Sequence, residues 1–184
     1  FHVIRNIPGQ SNGLSHSSVK AIHEDSDGLL WIGTLGGGIT RYDPKTQQYR
    51  HFTHNLSDKN SLSHNNVWGI VEDRRQHLWI ATENGLNRYD KRNDRFHQYL
   101  PDDGDPQSIS SNLIRSLLID NQDRLWIGTQ LMGIDRLDLT MNLNFSNLQF
   151  DHFKITGAHN SVLFQDAQSN IWAANQALFR FASQ

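Results

Sequence analysis

Trp68 stands eleven residues before Trp79, and Lys20 and Arg115 stand at the same distance before Trp31 and Trp126. Ser161 holds that place before Trp172. An aromatic face beside cationic donors suits a sugar ring or an acidic small molecule. Large aromatics mostly fill cores, so an additional packing tryptophan is the simpler reading of Trp68. Both readings stay open here. Further polar candidates sit in short turns that differ along the chain: Glu83, Asn84, Gln130, Asn175 and Gln176. Variable polar turns on a rigid frame are where binding normally resides.

Other chemistry is poorly supplied. The sequence holds 10 histidines and no cysteine. His51 and His152 repeat at equivalent places, as do His2 and His97, and His16 and His64. A transition metal needs three or four ligands meeting at a point, and these pairs do not suggest one, so no metal and no cofactor is expected. Asp25-Ser26-Asp27-Gly28 lacks the length and terminal Glu of a calcium loop. A glycosidase needs two carboxylates facing each other across a sugar. Glu83 is the one carboxylate in those variable turns, and no partner for it is evident. No phosphate loop, His-Glu-x-x-His or Ser-His-Asp order appears.

These residues are placed by a repeat. Trp31, Trp79, Trp126 and Trp172 are spaced 48, 47 and 46 residues apart. The flanking words align: LLWIGT, HLWIAT, RLWIGT and NIWAAN. Asp25, Asp73, Asp120 and Asp166 each lie six residues before the tryptophan, and Arg41, Arg88, Arg136 and Arg180 follow it. What recurs in every copy reads as scaffold: the Asp as a turn cap, the Arg as a partner for a carboxylate between strands.

One copy shows the architecture. Val67 to Glu72, Leu78 to Thr82, Leu86 to Tyr89 and Phe96 to Tyr99 are short apolar or alternating runs separated by turn residues. Four such strands per repeat of this period indicate an all-β chain, a β-propeller of four-stranded antiparallel blades. The blades are expected at about 14–53, 62–100, 109–153 and 157–181. Phe1–Ile4 resembles the fourth strands and is expected as a lone outer strand able to complete the last blade, since closure removes sheet edges. The four repeats are either a small closed ring or part of a larger propeller.

Taken together, Val19, Ile22, Asp25, Gly28, Leu30, Trp31, Ile32, Gly33, Thr34, Gly38, Ile39, Arg41, Tyr42 and Asp43 resemble the two-component regulator propeller repeat. Asn66 adds the lead-in asparagine in the second copy. The fourth copy departs at Ala173 and Asn175. The resemblance implies a seven-bladed propeller in the extracytoplasmic part of a membrane-anchored bacterial receptor. The output of such a receptor is a histidine kinase or a diguanylate cyclase. The sialidase Asp-box is a weaker likeness, because Ser26 occupies its aspartate position.

Charge gives no sign of a polyanion partner. Net charge is −2, from 17 basic and 19 acidic residues that are interspersed. No nucleic acid partner is expected, and no apolar run is long enough to span a bilayer. The chain starts at Phe1 and reads as a piece of something longer. The expected role is a non-catalytic sensory segment, periplasmic or extracytoplasmic, within an inner-membrane protein and without membrane contact of its own. Its expected partners are a small molecule such as an oligosaccharide, neighbouring blades or domains of the same receptor, or a second copy in a homodimer. The alternatives are a pure assembly propeller and a glycan-acting enzyme.

Overall fold

In a computed structural model of the chain, the described residues are 3–141, 145–155, 162–175 and 177–182. They form fifteen strands in four antiparallel sheets, and no helix. The first blade is β1 (Val19–Glu24), β2 (Leu30–Thr34), β3 (Ile39–Asp43) and β4 (Gln48–Phe52). The second is β5 (Val67–Glu72), β6 (Leu78–Thr82), β7 (Gly85–Asp90) and β8 (Arg95–Tyr99). The third is β9 (Ile114–Ile119), β10 (Arg124–Thr129), β11 (Ile134–Asp138) and β12 (Asp151–Phe153). The fourth has three strands, β13 (Val162–Gln165), β14 (Ile171–Ala174) and β15 (Leu178–Phe181). Strand order within each sheet follows chain order, as the sequence repeat predicts.

The cores lie between blades. Trp31 and Phe52 of the first blade pack on Ile70, Leu78, Ile80 and Tyr89 of the second. Trp79 packs with Ile114, Leu125 and Ile127 of the third, and Trp126 with Ile171 and Ala173 of the fourth. These three tryptophans are no more than 2 % exposed. Each of the first three blades therefore lends one tryptophan to the next, because a single sheet cannot bury both of its faces.

The recurring aspartate and tryptophan act together. Asp25 accepts backbone N–H bonds from Asp27 and Leu29 and a third bond, of 2.8 Å, from Trp31 Nε1. Asp73 and Trp79 repeat this at 2.9 Å, Asp120 and Trp126 at 2.8 Å, Asp166 and Trp172 at 2.7 Å. One carboxylate thus folds the turn between the first two strands and satisfies the buried indole. The turn between the second and third strands needs glycine: Gly133 has φ 100° and a Cβ there would lie 2.3 Å from Phe153 O.

β1 packs beside β5, β5 beside β9, and β9 beside β13, and no comparable packing among the described residues joins β13 back to β1. The blades form an open arc, not the closed four-blade ring. On its open side the fourth blade exposes Val162, Phe164 and Leu178, each by more than 60 %. Trp172 lines that face with them. Of the lone outer strand expected at Phe1–Ile4, Phe1 and His2 lie outside the described residues. Val3 and Ile4 belong to no strand, so they do not complete the fourth sheet. Thr156–Ser161 and Gln176 also lie outside the described residues.

Asp120→Ala strips the partner from a buried indole and two turn amides. A loss of about 1–3 kcal/mol is expected, read from urea unfolding with Trp126 present. A variant as stable as the parent contradicts the cap. All four carboxyls lie below the ordinary aspartate value. For Asp25, Asp73 and Asp120 burial opposes ionisation and is outweighed by the donated hydrogen bonds; for Asp166 the bonds from Asn170 and Trp172 lead. A lowered folded pKa stabilises above the unfolded value, about 3.9. That stability is expected to be intact at neutral pH and to fall as pH drops below about 4. Urea midpoints that stay constant from pH 6 to about 2 contradict it.

Candidate functional site at the inner rim

In the first three blades the inner strand begins with a bulge. Pairing slips between Val19 and Ala21, between Val67 and Gly69, and at Ile114 against Thr129. The bulged residues are Lys20, Trp68 and Arg115, the three that share one register before the repeated tryptophan. A bulge re-aims the side chain it carries. Here it brings the cations of Lys20 and Arg115 to the Trp68 ring, at the end of the arc that bears the second-to-third-strand turns.

Trp68 is the centre of the group. Arg115 Cζ lies 4.2 Å from its ring centroid and Lys20 Nζ lies 5.9 Å from it. The indole is half-buried, with one side against the core between the second and third blades. Its Nε1 is buried and has no hydrogen-bond partner. Trp68 therefore does two things: it packs against the core, and two cations lie over its ring.

The arginine is held firmly. Its Nη1 donates to Glu83 Oε1 at 3.0 Å, and its Nε donates to Gln130 Oε1 at 3.0 Å. Nη2 also donates to that Gln130 oxygen. Glu83 accepts a further bond of 2.6 Å from Asn66 Nδ2. The Asn66 amide, opposed by modest burial and joined by Arg115, keeps the Glu83 carboxyl below the usual range. An ionised, doubly bonded carboxylate of this kind is an acceptor and cannot serve as a general acid at neutral pH.

Of the residues read from sequence, Lys20, Trp68, Glu83, Arg115 and Gln130 are brought together. Asn84 sits beside them and accepts from Asn112 Nδ2 at 3.4 Å. Asn175 bonds within its own turn, through its Oδ1 to the Ala177 amide at 2.9 Å, and takes no part in this network. Gln176 lies outside the described residues. Sequence reasoning missed Asn66. It opens β5 beside the turn of the preceding blade, where Leu35 pairs with it as an isolated bridge. Its signal was its place in the lead-in word, read only as repeat pattern.

His51 and His152 serve the frame. His51 Nε2 bonds Gly13 O at 2.9 Å, and His152 Nδ1 bonds Asp135 at 2.7 Å. Arg41, Arg136 and Arg180 lie over the tryptophans of their own blades, Trp31, Trp126 and Trp172, and Arg136 also pairs with Asp151 at 2.6 Å.

Three stretches of the chain, 13–36, 61–84 and 108–130, match the family described as two component regulator propeller. No curated protein matches the chain. The fold is similar to the extracellular domain of a putative hybrid two component system from B. thetaiotaomicron, at 22% identity and TM-score 0.66, covering 98% of this chain and 30% of that one. Virginiamycin B lyase from Staphylococcus aureus matches at 19% identity and TM-score 0.65, over 90% of this chain and 52% of that one. PorZ, a surface component of the type-IX secretion system of Porphyromonas gingivalis, matches at 15% identity and TM-score 0.65, over 96% of this chain and 28% of that one. The chain thus spans 30% of the first of these proteins. At these identities the likeness establishes the propeller fold.

Removing either donor is expected to raise the Glu83 pKa toward the ordinary glutamate value. Asn66→Ala and Arg115→Met each test this by carboxyl NMR titration. A Glu83 value unmoved in both variants contradicts the network.

Proposed function

We propose that this chain, three of whose four repeats are two component regulator propeller repeats, is a non-catalytic sensory segment of an extracytoplasmic signalling receptor. Its rim group binds a small molecule of saccharide or acidic character. The observation that carries this reading is the convergence of three bulged residues from three blades, the Lys20 and Arg115 cations meeting at the Trp68 ring. A half-buried indole flanked by cations and by the amides of Asn66 and Gln130 offers stacking and directed hydrogen bonds together. Membership of the receptor's periplasmic part, with a kinase or cyclase beyond it, rests on the repeat family and on the similar fold of one extracellular domain.

Catalysis on glycans is the weaker alternative. Propellers carry enzymes as readily as binders, as the lyase of the same fold illustrates, so the site must decide. Glu83 is the carboxylate in the rim network, and it is tied to Arg115 and Asn66. Assembly is compatible with sensing: the exposed face of the fourth blade is where neighbouring blades, other domains or a second copy would dock.

Calorimetry with a panel of neutral and acidic oligosaccharides tests the proposal. The parent chain is expected to bind a member of the panel. Lys20→Ala with Trp68→Ala is expected to weaken that binding by about tenfold or more while the chain stays folded. Glycoside turnover by the parent chain, or unchanged affinity in the double variant, overturns the reading. If Trp68→Ala alone costs about 3 kcal/mol of stability or more, the indole is a core residue and its binding role falls.

A further inference from the structure

A second polar cleft, of about 430 Å³, opens at the other end of the strands, where the first-to-second and third-to-fourth strand turns of the second blade meet. Its volume is within the usual range for small-molecule sites, about 300–1,000 Å³. Its walls include Arg75, His77, Arg88, Asp90, Lys91 and Arg92. The charges do not cancel. Lys91 is already bound to Asp25, Asp27 and Glu72 across the blade boundary. Asp90 faces Arg95 at 3.8 Å and His97 at 3.6 Å. His77 is paired with Asp73. Arg75 reaches the carbonyl of Thr140 at 3.3 Å, and the described contact of Arg92 is made by its backbone N–H.

Arg88 is the informative residue. It is 7% exposed. Its Nε has a long contact of 3.5 Å to Tyr99 Oη, and its guanidinium lies 3.9 Å from the Phe145 ring centroid. No carboxylate among the described residues is within salt-bridge distance of it. The residue facing this arginine on the fourth strand differs between blades, and in the first blade Arg41 faces Arg50. In the third blade the strand partner of Arg136 is Asp151, and the two form an ion pair. In the second blade the strand partner of Arg88 is His97. That ring supplies no counter-charge, because an imidazole is either neutral or cationic. A buried guanidinium without an anion is costly, and a chain of net charge −2 has carboxylates to spare elsewhere.

We infer that the cleft of the second blade is an oxyanion site. Its ligand carries a carboxylate or a sulfate ester on a sugar-sized body, and that group supplies the counter-charge Arg88 lacks. Arg88 is the fixed anchor, because its ring stack and burial hold the planar donor fork in place. Arg75 and Arg92 are exposed arms that close on the same group from the two turns. This site is separate from the rim and independent of it.

Calorimetry with glucuronate, glucose 6-sulfate and glucose tests it. Glucuronate or glucose 6-sulfate is expected to bind and glucose is not. Whichever anion binds identifies the source of the oxyanion. Arg75→Gln with Arg92→Gln, both exposed and safe for folding, is expected to weaken binding by about tenfold. Arg88→Met is expected to abolish binding and to leave the melting temperature equal or higher in anion-poor buffer; should it fail to fold, the double variant decides. Equal heats for glucose and the anions, no heat with either anion, or unchanged affinity in the double variant overturns the assignment.

Discussion

One hydrogen bond holds the repeat together: the recurring aspartate carboxylate accepting from the recurring indole Nε1. It joins two problems that a blade must solve at once. The first turn has backbone amides with no strand partner, and the buried tryptophan has a donor that apolar neighbours cannot satisfy. A single ionised side chain answers both, and it does so in each of the four blades. Because the indole also fills the gap to the next blade, the local turn and the stacking of blades depend on one another.

That coupling leaves the opposite end of each sheet free. The turns carrying the aspartate fix one end. At the other, β1, β5 and β9 enter through bulges, and the bulged side chains are released from the packing pattern. They differ between blades as Lys20, Trp68 and Arg115, and these meet. Regularity at one end thus permits variation at the other, which is the division of labour expected of a scaffold that carries a binding group. At the regular end the residue facing the recurring arginine also varies: Asp151 pairs with Arg136, whereas Arg88 faces His97 and Arg41 faces Arg50.

The blades were largely legible in the sequence. Val67–Glu72 and Leu78–Thr82 appear as strands at the bounds that their apolar runs suggest, since turn residues punctuate them sharply. Aligning the copies also picked out Lys20, Trp68 and Arg115, because equal distance from a buried tryptophan means equal place on a sheet. The bulges were not legible: they arise from pairing two strands with unequal residue counts, which no single strand reveals. Asn66 escaped because its chemical partner, Glu83, belongs to a turn that only the hairpin brings back to it. The arginines were read as one class of scaffold, and the structure divides them: Arg136 has a carboxylate and Arg88 has none. The difference was written in the sequence as Asp151 against His97, visible only once strand register was known.

The interdependence of turn and stacking can be watched at all five indoles in one experiment, hydrogen exchange of the tryptophan Nε1 protons by NMR. The account predicts that Trp31, Trp79 and Trp126 exchange slowly at neutral pH and lose protection together as the aspartates protonate. Trp172, on the open face, is expected to exchange faster than these three and still to respond to the same acid transition. Trp68, which has no carboxylate partner, is expected to show no local step of its own there. Protection of the three buried indoles that is indifferent to aspartate protonation would contradict the claim that the Asp–Trp bond holds the blades.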